Sequence, residues 1–364
     1  MRPALRFLAF LSAALSVLAV AAWLFGRLIT DRWEWSQFLS WVPTPAVLFP
    51  TLILLLASAL SARLAGTPAH GRRAGARMRR LAAMVFVLAM VYMLVFEWRL
   101  ANAVRPRAVE RARSLRLLDW NMTAVERNEQ ITGPVGAQSP DLAILVNPHS
   151  HLSWPPIFES LPALPHTARE NSIMVLSRFP ILRRASFWMR LPRPADSQGR
   201  PETDSRNDPG RAMYLVLDTA ASLGRATTVW VIDMPSDERL GRRELAQLAA
   251  AAIANWAGQE ILTDEAGAVT YRPAGPGFPA PDIITGDFNI PRGSGSLSLL
   301  APAMTNAFDQ GGWGWCASWP RVGPIFHIDQ TFVGPALRAA RYRVLDPTFG
   351  YHRMQVADLT PAPP

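Results

Sequence analysis

Apolar residues are spread unevenly along the chain, and the unevenness divides it before any single motif does. Three apolar runs, 7–25, 38–64 and 81–98, occupy the N-terminal part. Each reaches or nearly reaches the ~20 residues that a bilayer-spanning helix needs. From 115 onward the pattern changes to short apolar runs separated by Pro, Gly and Asp/Asn clusters, the signature of strands and turns. The pattern therefore predicts a membrane domain over 1–99, with transmembrane helices at about 7–27, 40–63 and 80–98. A tether follows over 100–114, then a globular domain over 115–364. Pro43, Pro45 and Pro50 interrupt the second run, so its robust helix is expected at 51–62 behind a kinked lead-in. A cleaved signal peptide would account for the first run alone, but not for the next two.

Within the globular part, strands are expected at 115–120, 142–146, 172–176, 213–218, 227–232, 282–285, 327–333 and 354–359. Leu and Ala recur at helical spacing over 240–256, and a second helix is expected within 124–138. Many strands with few helices point to an α/β sandwich rather than a doubly wound sheet. The polar stretch 192–210 reads as a surface loop, and the Gly/Pro-rich stretch 266–281 as a connector.

Charge follows the same division. The formal net charge of +9 looks like that of a nucleic-acid binder until it is located. Residues 1–115 hold 15 Arg against four acids, +11, and the remainder 22 Arg against 24 acids, −2. The excess positive charge flanks the apolar runs, where it meets lipid headgroups and sets topology. The globular part has no net basic field, which disfavours nucleic acid as partner. Arginines between the second and third runs (Arg63, Arg72, Arg73, Arg77, Arg79, Arg80) are matched by those after the third (Arg99, Arg105, Arg107, Arg111, Arg113, Arg116). Arg2 and Arg6 break the tie, placing the N-terminus inside and the globular domain outside the cytoplasm of a multi-pass protein of the cell membrane. The chain has no Lys, which excludes a Lys nucleophile and a Walker-type phosphate lysine. One cysteine, Cys316, excludes an intrachain disulfide and a multi-cysteine zinc site.

The strongest chemical signal is Ile283-Ile284-Thr285-Gly286-Asp287-Phe288-Asn289, a β-branched strand that ends on a carboxylate and an amide at i and i+2. Such a pair can position a water or metal near a phosphate, and equally it can close an Asx-rich turn. His149 and His151 flank Ser150 in a segment better read as a solvated loop than as a metal site. Trp313, Trp315 and Trp319 lie in a Gly-rich turn, with packing onto the core favoured over a stacking platform.

Several segments then fall in a recognisable order. They are Leu115-Arg116-Leu117-Leu118-Asp119-Trp120-Asn121, Pro140-Asp141-Leu142-Ala143-Ile144-Leu145, the stretch from Asn171 to Ile181 (NSIMVLSRFPI), GDFN, His327-Ile328-Asp329 and Gly350-Tyr351-His352. The series resembles the endonuclease/exonuclease/phosphatase superfamily, the deoxyribonuclease I-like fold, in a membrane-anchored member of bacterial type. The resemblance implies a four-layer α/β sandwich and metal-dependent hydrolysis of phosphate esters. It also implies roles: Asn121 beside metal and phosphate, Asp287 orienting or deprotonating the attacking water, and Asn289 holding a phosphate oxygen. His352 would be the terminal histidine and Asp329 its partner. A carboxylate on one ring nitrogen favours the imidazolium, which can then bond a phosphoryl oxygen.

The chain departs from the family at the metal. Asn147 stands where a metal-binding glutamate is expected, Tyr351 where an acid precedes the histidine, and Asp233-Met234 where His-Leu is usual. An amide coordinates without neutralising charge, and Mg²⁺ ordinarily needs at least one carboxylate. The expected set for a divalent Mg²⁺ or Mn²⁺ is thus Asn121, Asn147, Asp287 and Asp233, with Asp119, His149 or His151 as compensating ligands and a histidine favouring softer metals. Two readings stand. The favoured one is a membrane-anchored, metal-dependent phosphoesterase acting on a phosphodiester or phosphomonoester. The other is a catalytically inactive family member that binds a phosphorylated or glycan ligand. The bilayer and a phosphate ester are the expected partners, and no protein partner is inferred.

Overall fold

The computed structural model describes residues 2–66, 73–104, 109–148, 152–192, 209–264 and 266–363. His149, His151 and positions 193–208 of the polar loop lie outside the described residues. The chain divides into two compact units, Met1–Leu100 and Ala101–Pro364.

The first unit holds three helices long and apolar enough to cross a membrane, Arg2–Ile29, Thr44–Leu64 and Ala74–Glu97. The second is longer than the prolines led us to expect. Pro43 is its N-cap and Pro45 lies in the first turn, where a missing N–H breaks no helical bond; only Pro50 is internal. Glu97 is a polar junction between helices of the unit. The Arg27 guanidinium meets Glu97 at 2.7 Å, and the Thr44 hydroxyl donates to the same carboxylate at 2.7 Å.

The second unit is a sandwich of two sheets. Its strands are β1 (Leu115–Asn121), β2 (Leu142–Val146), β3 (His166–Glu170), β4 (Ile173–Ser177), β5 (Ile181–Trp188), β6 (Arg211–Leu217) and β7 (Thr227–Asp233). They continue as β8 (Gln259–Thr263), β9 (Val269–Pro273), β10 (Ile283–Asp287), β11 (Thr305–Asn306), β12 (Asp329–Val333), β13 (Leu337–Leu345) and β14 (Met354–Pro361). One sheet runs β13-β14-β1-β2-β4-β3 and the other β11-β12-β10-β7-β6-β5-β8-β9. All eight expected strands are present. The stretch 266–281 is not merely a connector, because it contains the edge strand β9.

Alternation along the strands sorts side chains into layers. Leu115, Leu117, Val175, Met213, Leu215, Val229, Val231 and Ile283 point inward and form the core between the sheets. Leu118, Trp120, Ala143, Leu145 and Met174 face outward and are covered by the helices Glu129–Gln138 and Trp154–Glu159. On the other sheet, Ile232, Ile284 and Phe332 are covered by the helix Arg242–Ala254. That helix turns Leu245, Ala246, Ala249 and Ile253 inward at helical spacing. Helix, sheet, sheet, helix make the four layers. The expectation for the Trp-rich turn is corrected: Trp313, Trp315 and Trp319 are exposed rather than packed on the core.

Candidate active site

The inward face that carries the apolar core turns polar toward one end of the strands. On β1 the inward series Leu115, Leu117 continues as Asp119, Asn121; on β10 Ile283 continues as Thr285, Asp287. Register then aligns three carboxylates. Asp287 pairs across with Asp233 on parallel β7 and with Asp329 on antiparallel β12, so the three side chains form one row across adjacent strands. Gly286 makes this row possible. Its φ is +135°, and a Cβ there would stand 2.0 Å from the carbonyl oxygen of Ile232. Only glycine allows β10 to run that close to β7.

Three like charges about 5 Å apart repel by roughly 3 kcal/mol per neighbouring pair at an effective dielectric near 20. The structure answers with a cation at each end. Arg211 is the register partner of Asp233 on antiparallel β6, and its Nε lies 3.2 Å from Asp233 Oδ2. The guanidinium also donates to the Asn171 carbonyl at 3.2 Å and lies 4.7 Å from the Trp188 ring centroid. At the other end His352 Nδ1 is 2.9 Å from Asp329 Oδ2 and 3.8 Å from Asp287 Oδ2. Burial disfavours a charged ring, yet Asp329 and Asp287 outweigh it and raise the His352 pKa to about 9. Burial and then the neighbouring Asp329 raise Asp287 to about 6, against the pull of His352 and two hydrogen bonds. Those bonds come from the Asn121 amide at 2.8 Å and the Asn289 backbone N–H at 2.9 Å.

The other expected residues are placed as follows. Asn121 Oδ1 accepts the N–H and the hydroxyl of Thr123, at 3.1 and 2.7 Å, so the side chain is held at both ends. Asn147 has φ +55° and donates from Nδ2 to Asp233 Oδ2 at 3.2 Å. Asn289 does not continue the strand: with φ +50° its side chain turns away and donates to the Met234 carbonyl at 2.8 Å. The extended geometry that would point Asp287 and Asn289 the same way ends at Asp287. Asp119 lies in a buried polar network under the row, accepting from the Thr285 hydroxyl and from Gln355 Nε2. Gln355 Oε1 in turn accepts from Thr331 at 3.0 Å and Tyr342 at 2.6 Å. Burial drives the Asp119 pKa well up, the Thr285 bond pulling against it. Sequence reading missed Arg211. Its one signal was parity, since it shares the inward face of Met213 and Leu215.

A metal's fit can be judged from the donor atoms. Among the described residues, Asp287, Asp329 and His352 offer ligand atoms within 4.8 Å of one another. Two carboxylates and an imidazole suit a divalent cation. The set expected from the sequence is less apt. Asp233 is paired with Arg211, and the Asn121 and Asn147 amides direct N–H groups at the carboxylates. A cation on His352 Nδ1 must also displace the proton shared with Asp329, so metal loading and ring protonation exclude each other.

The sequence pattern of the Endonuclease/Exonuclease/phosphatase family matches residues 111–352. No curated protein sequence matches the chain. Among solved structures, an endonuclease/exonuclease/phosphatase from Beutenbergia cavernae DSM 12333 is similar at 16% identity, over 69% of this chain and 72% of that one, with a TM-score of 0.46. A functionally unknown conserved protein from Enterococcus faecalis V583 aligns at 11% identity over 68% of this chain and all of its own, with a TM-score of 0.44. The inositol polyphosphate 5-phosphatase domain of SPsynaptojanin, solved with inositol (1,4)-bisphosphate and calcium, aligns at 11% identity over 73% of this chain and 89% of its own (TM-score 0.37).

Proposed function

Because the chain belongs to the endonuclease/exonuclease/phosphatase family, we propose that it is a phosphoesterase anchored in a membrane by its three apolar helices, with the sandwich outside the cytoplasm. The observation that carries this reading is the row Asp233, Asp287, Asp329 with Arg211 and His352 at its ends. Asp287, in its ionised form, takes a proton from the attacking water. Asn121 fixes the direction of that carboxylate. The His352 ring, protonated and oriented by Asp329, pairs with a phosphoryl oxygen as charge develops. Asn289 shapes the turn and lends its backbone N–H to Asp287 rather than touching phosphate with its side chain. A divalent cation held by Asp287, Asp329 and a deprotonated His352 would neutralise the phosphoryl oxygens in place of the imidazolium, not in addition to it.

The test is hydrolysis of bis-p-nitrophenyl phosphate and p-nitrophenyl phosphate by the full chain in detergent, with Mg²⁺, Mn²⁺ or Zn²⁺, alongside Asp287→Ala. Activity in the parent that Asp287→Ala abolishes supports the assignment. Activity indifferent to that change removes Asp287 from the mechanism. A second reading, a ligand-binding protein without turnover, is favoured by Asn147 standing where the family places a carboxylate. It predicts no hydrolysis with any metal, together with thermal stabilisation by a phosphate ester.

A further inference from the structure

Beside the site lies a lobe that the chemistry above does not use. Trp313, Trp315, Trp319, Val322, Ile325 and Tyr351 are all exposed, by between 38% and 72%, although large apolar side chains usually scatter singly on a protein surface. The lobe is ordered. Ser318 and Trp319 exchange backbone hydrogen bonds with Ile325 and Phe326 at 2.8–2.9 Å, and the Trp315 indole donates to the Pro324 carbonyl at 3.0 Å. It is also fastened to the site. The Asp329 N–H donates to Ser318 Oγ at 3.2 Å, the Arg353 N–H to the Ser318 carbonyl at 2.8 Å, and the Arg321 N–H to the carbonyl of Tyr351, next to His352, at 2.7 Å.

A second observation says what would cover these rings. Asn102, the second residue of the sandwich unit, donates to the carbonyls of Gly312 and Asp309 at 2.8 and 3.3 Å. The chain thus enters the sandwich at the root of the lobe, two residues after the unit that holds the apolar helices. The entry stretch 99–110 carries Arg99, Arg105 and Arg107 against one acid, Glu110, while Arg111 and Arg116 further on pair with Asp141 and Asp358. Tryptophan and tyrosine beside arginine is the composition of a lipid headgroup interface, where rings lie among the acyl carbonyls and cations meet phosphate.

We propose that the lobe 313–325, with Tyr351, docks into the surface of the bilayer and presents the carboxylate row to it, so that the substrate is a phosphate ester in a lipid headgroup. The docking stands independently of the phosphoesterase reading; only the substrate class rests on it.

The experiment uses the full chain in lipid nanodiscs, with Cys316→Ala so that an introduced cysteine is the sole thiol. An environment-sensitive NBD label is placed at Trp315→Cys or, in a second variant, Val322→Cys. Tyr271→Cys, exposed on β9 at the far edge of its sheet, serves as the reference. Docking predicts quenching of the first two labels by doxyl-labelled lipid and protection from iodide, with the reverse at the reference. Iodide access at 315 and 322 equal to that at 271 overturns the proposal. For the substrate, Trp313→Ser/Trp315→Ser is expected to lower hydrolysis of a vesicle phospholipid about tenfold, the scale of losing buried aromatic anchors, while p-nitrophenyl phosphate turnover is unchanged. Quenching by lipid with equal losses on both esters overturns the lipid substrate and leaves the docking. Absence of turnover on either ester is failure of the phosphoesterase reading, which the label measurements do not share.

Discussion

The interior between the two sheets has two ends built from the same strands under different rules. At one end Leu115, Leu117, Val229 and Ile283 exclude water and tolerate one another in any close arrangement. At the other, two to four residues further along, Asp119, Asn121, Asp233 and Asp287 are equally buried but must each be answered by a specific partner. Apolar burial is non-directional and roughly proportional to area, whereas a buried charge is tolerated only with paired geometry. The polar end is therefore held in place by the apolar end, and the chemistry is carried by groups that would not stay there alone.

That contrast can be broken from either side. Asp287→Ala should lower phosphoesterase turnover by about 10²–10⁴, the range for removing a general base, with an unchanged circular dichroism spectrum; loss of folded signal would instead make Asp287 structural. Ile283→Ala should do the opposite. It should cost about 2–5 kcal/mol of stability, read as a lower denaturation midpoint in detergent, with kcat preserved at temperatures where the protein remains folded. A fall in kcat without a fall in stability would contradict the division.

The pH profile separates the ends more finely. Turnover in this reading needs Asp287 ionised and His352 protonated, so it should rise through about pH 6 and fall through about pH 9. A single limb would show that one of the two groups is idle. The smallest effect is calorimetric. If Asp287, Asp329 and His352 hold the cation, its binding near pH 7.5 releases about one proton from the ring, measurable as a dependence of binding heat on buffer ionisation enthalpy. Binding through Asn121, Asn147, Asp233 and Asp287 would release none from His352.

Much of this was legible in the sequence. The eight buried strands declared themselves by apolar runs, and the GDFN and NSIMVLSRFPI segments marked the site. What escaped has physical causes. β5 and β13 each carry a register shift, between Ile181 and Arg183 and between Ala339 and Arg341, which resets the alternation that betrays a strand. β9 is exposed along its whole length and so has no apolar face to read. Arg211 is one of 37 basic residues, and nothing but its inward parity distinguishes it. The conformation of Asn289 escaped because a left-handed residue after a strand end breaks period-two reasoning at that point.

Gly286 has one more consequence. Gly286 lies against the Ile232 carbonyl, one position before the Asp233–Asp287 pair, and no substituent can be grafted there without separating β7 from β10. In the phosphoesterase reading, changes of ester preference are therefore expected from the loops at the rim. A library randomised at 286 should return glycine among its folded clones, while libraries in the surrounding loops should return enzymes with altered preference.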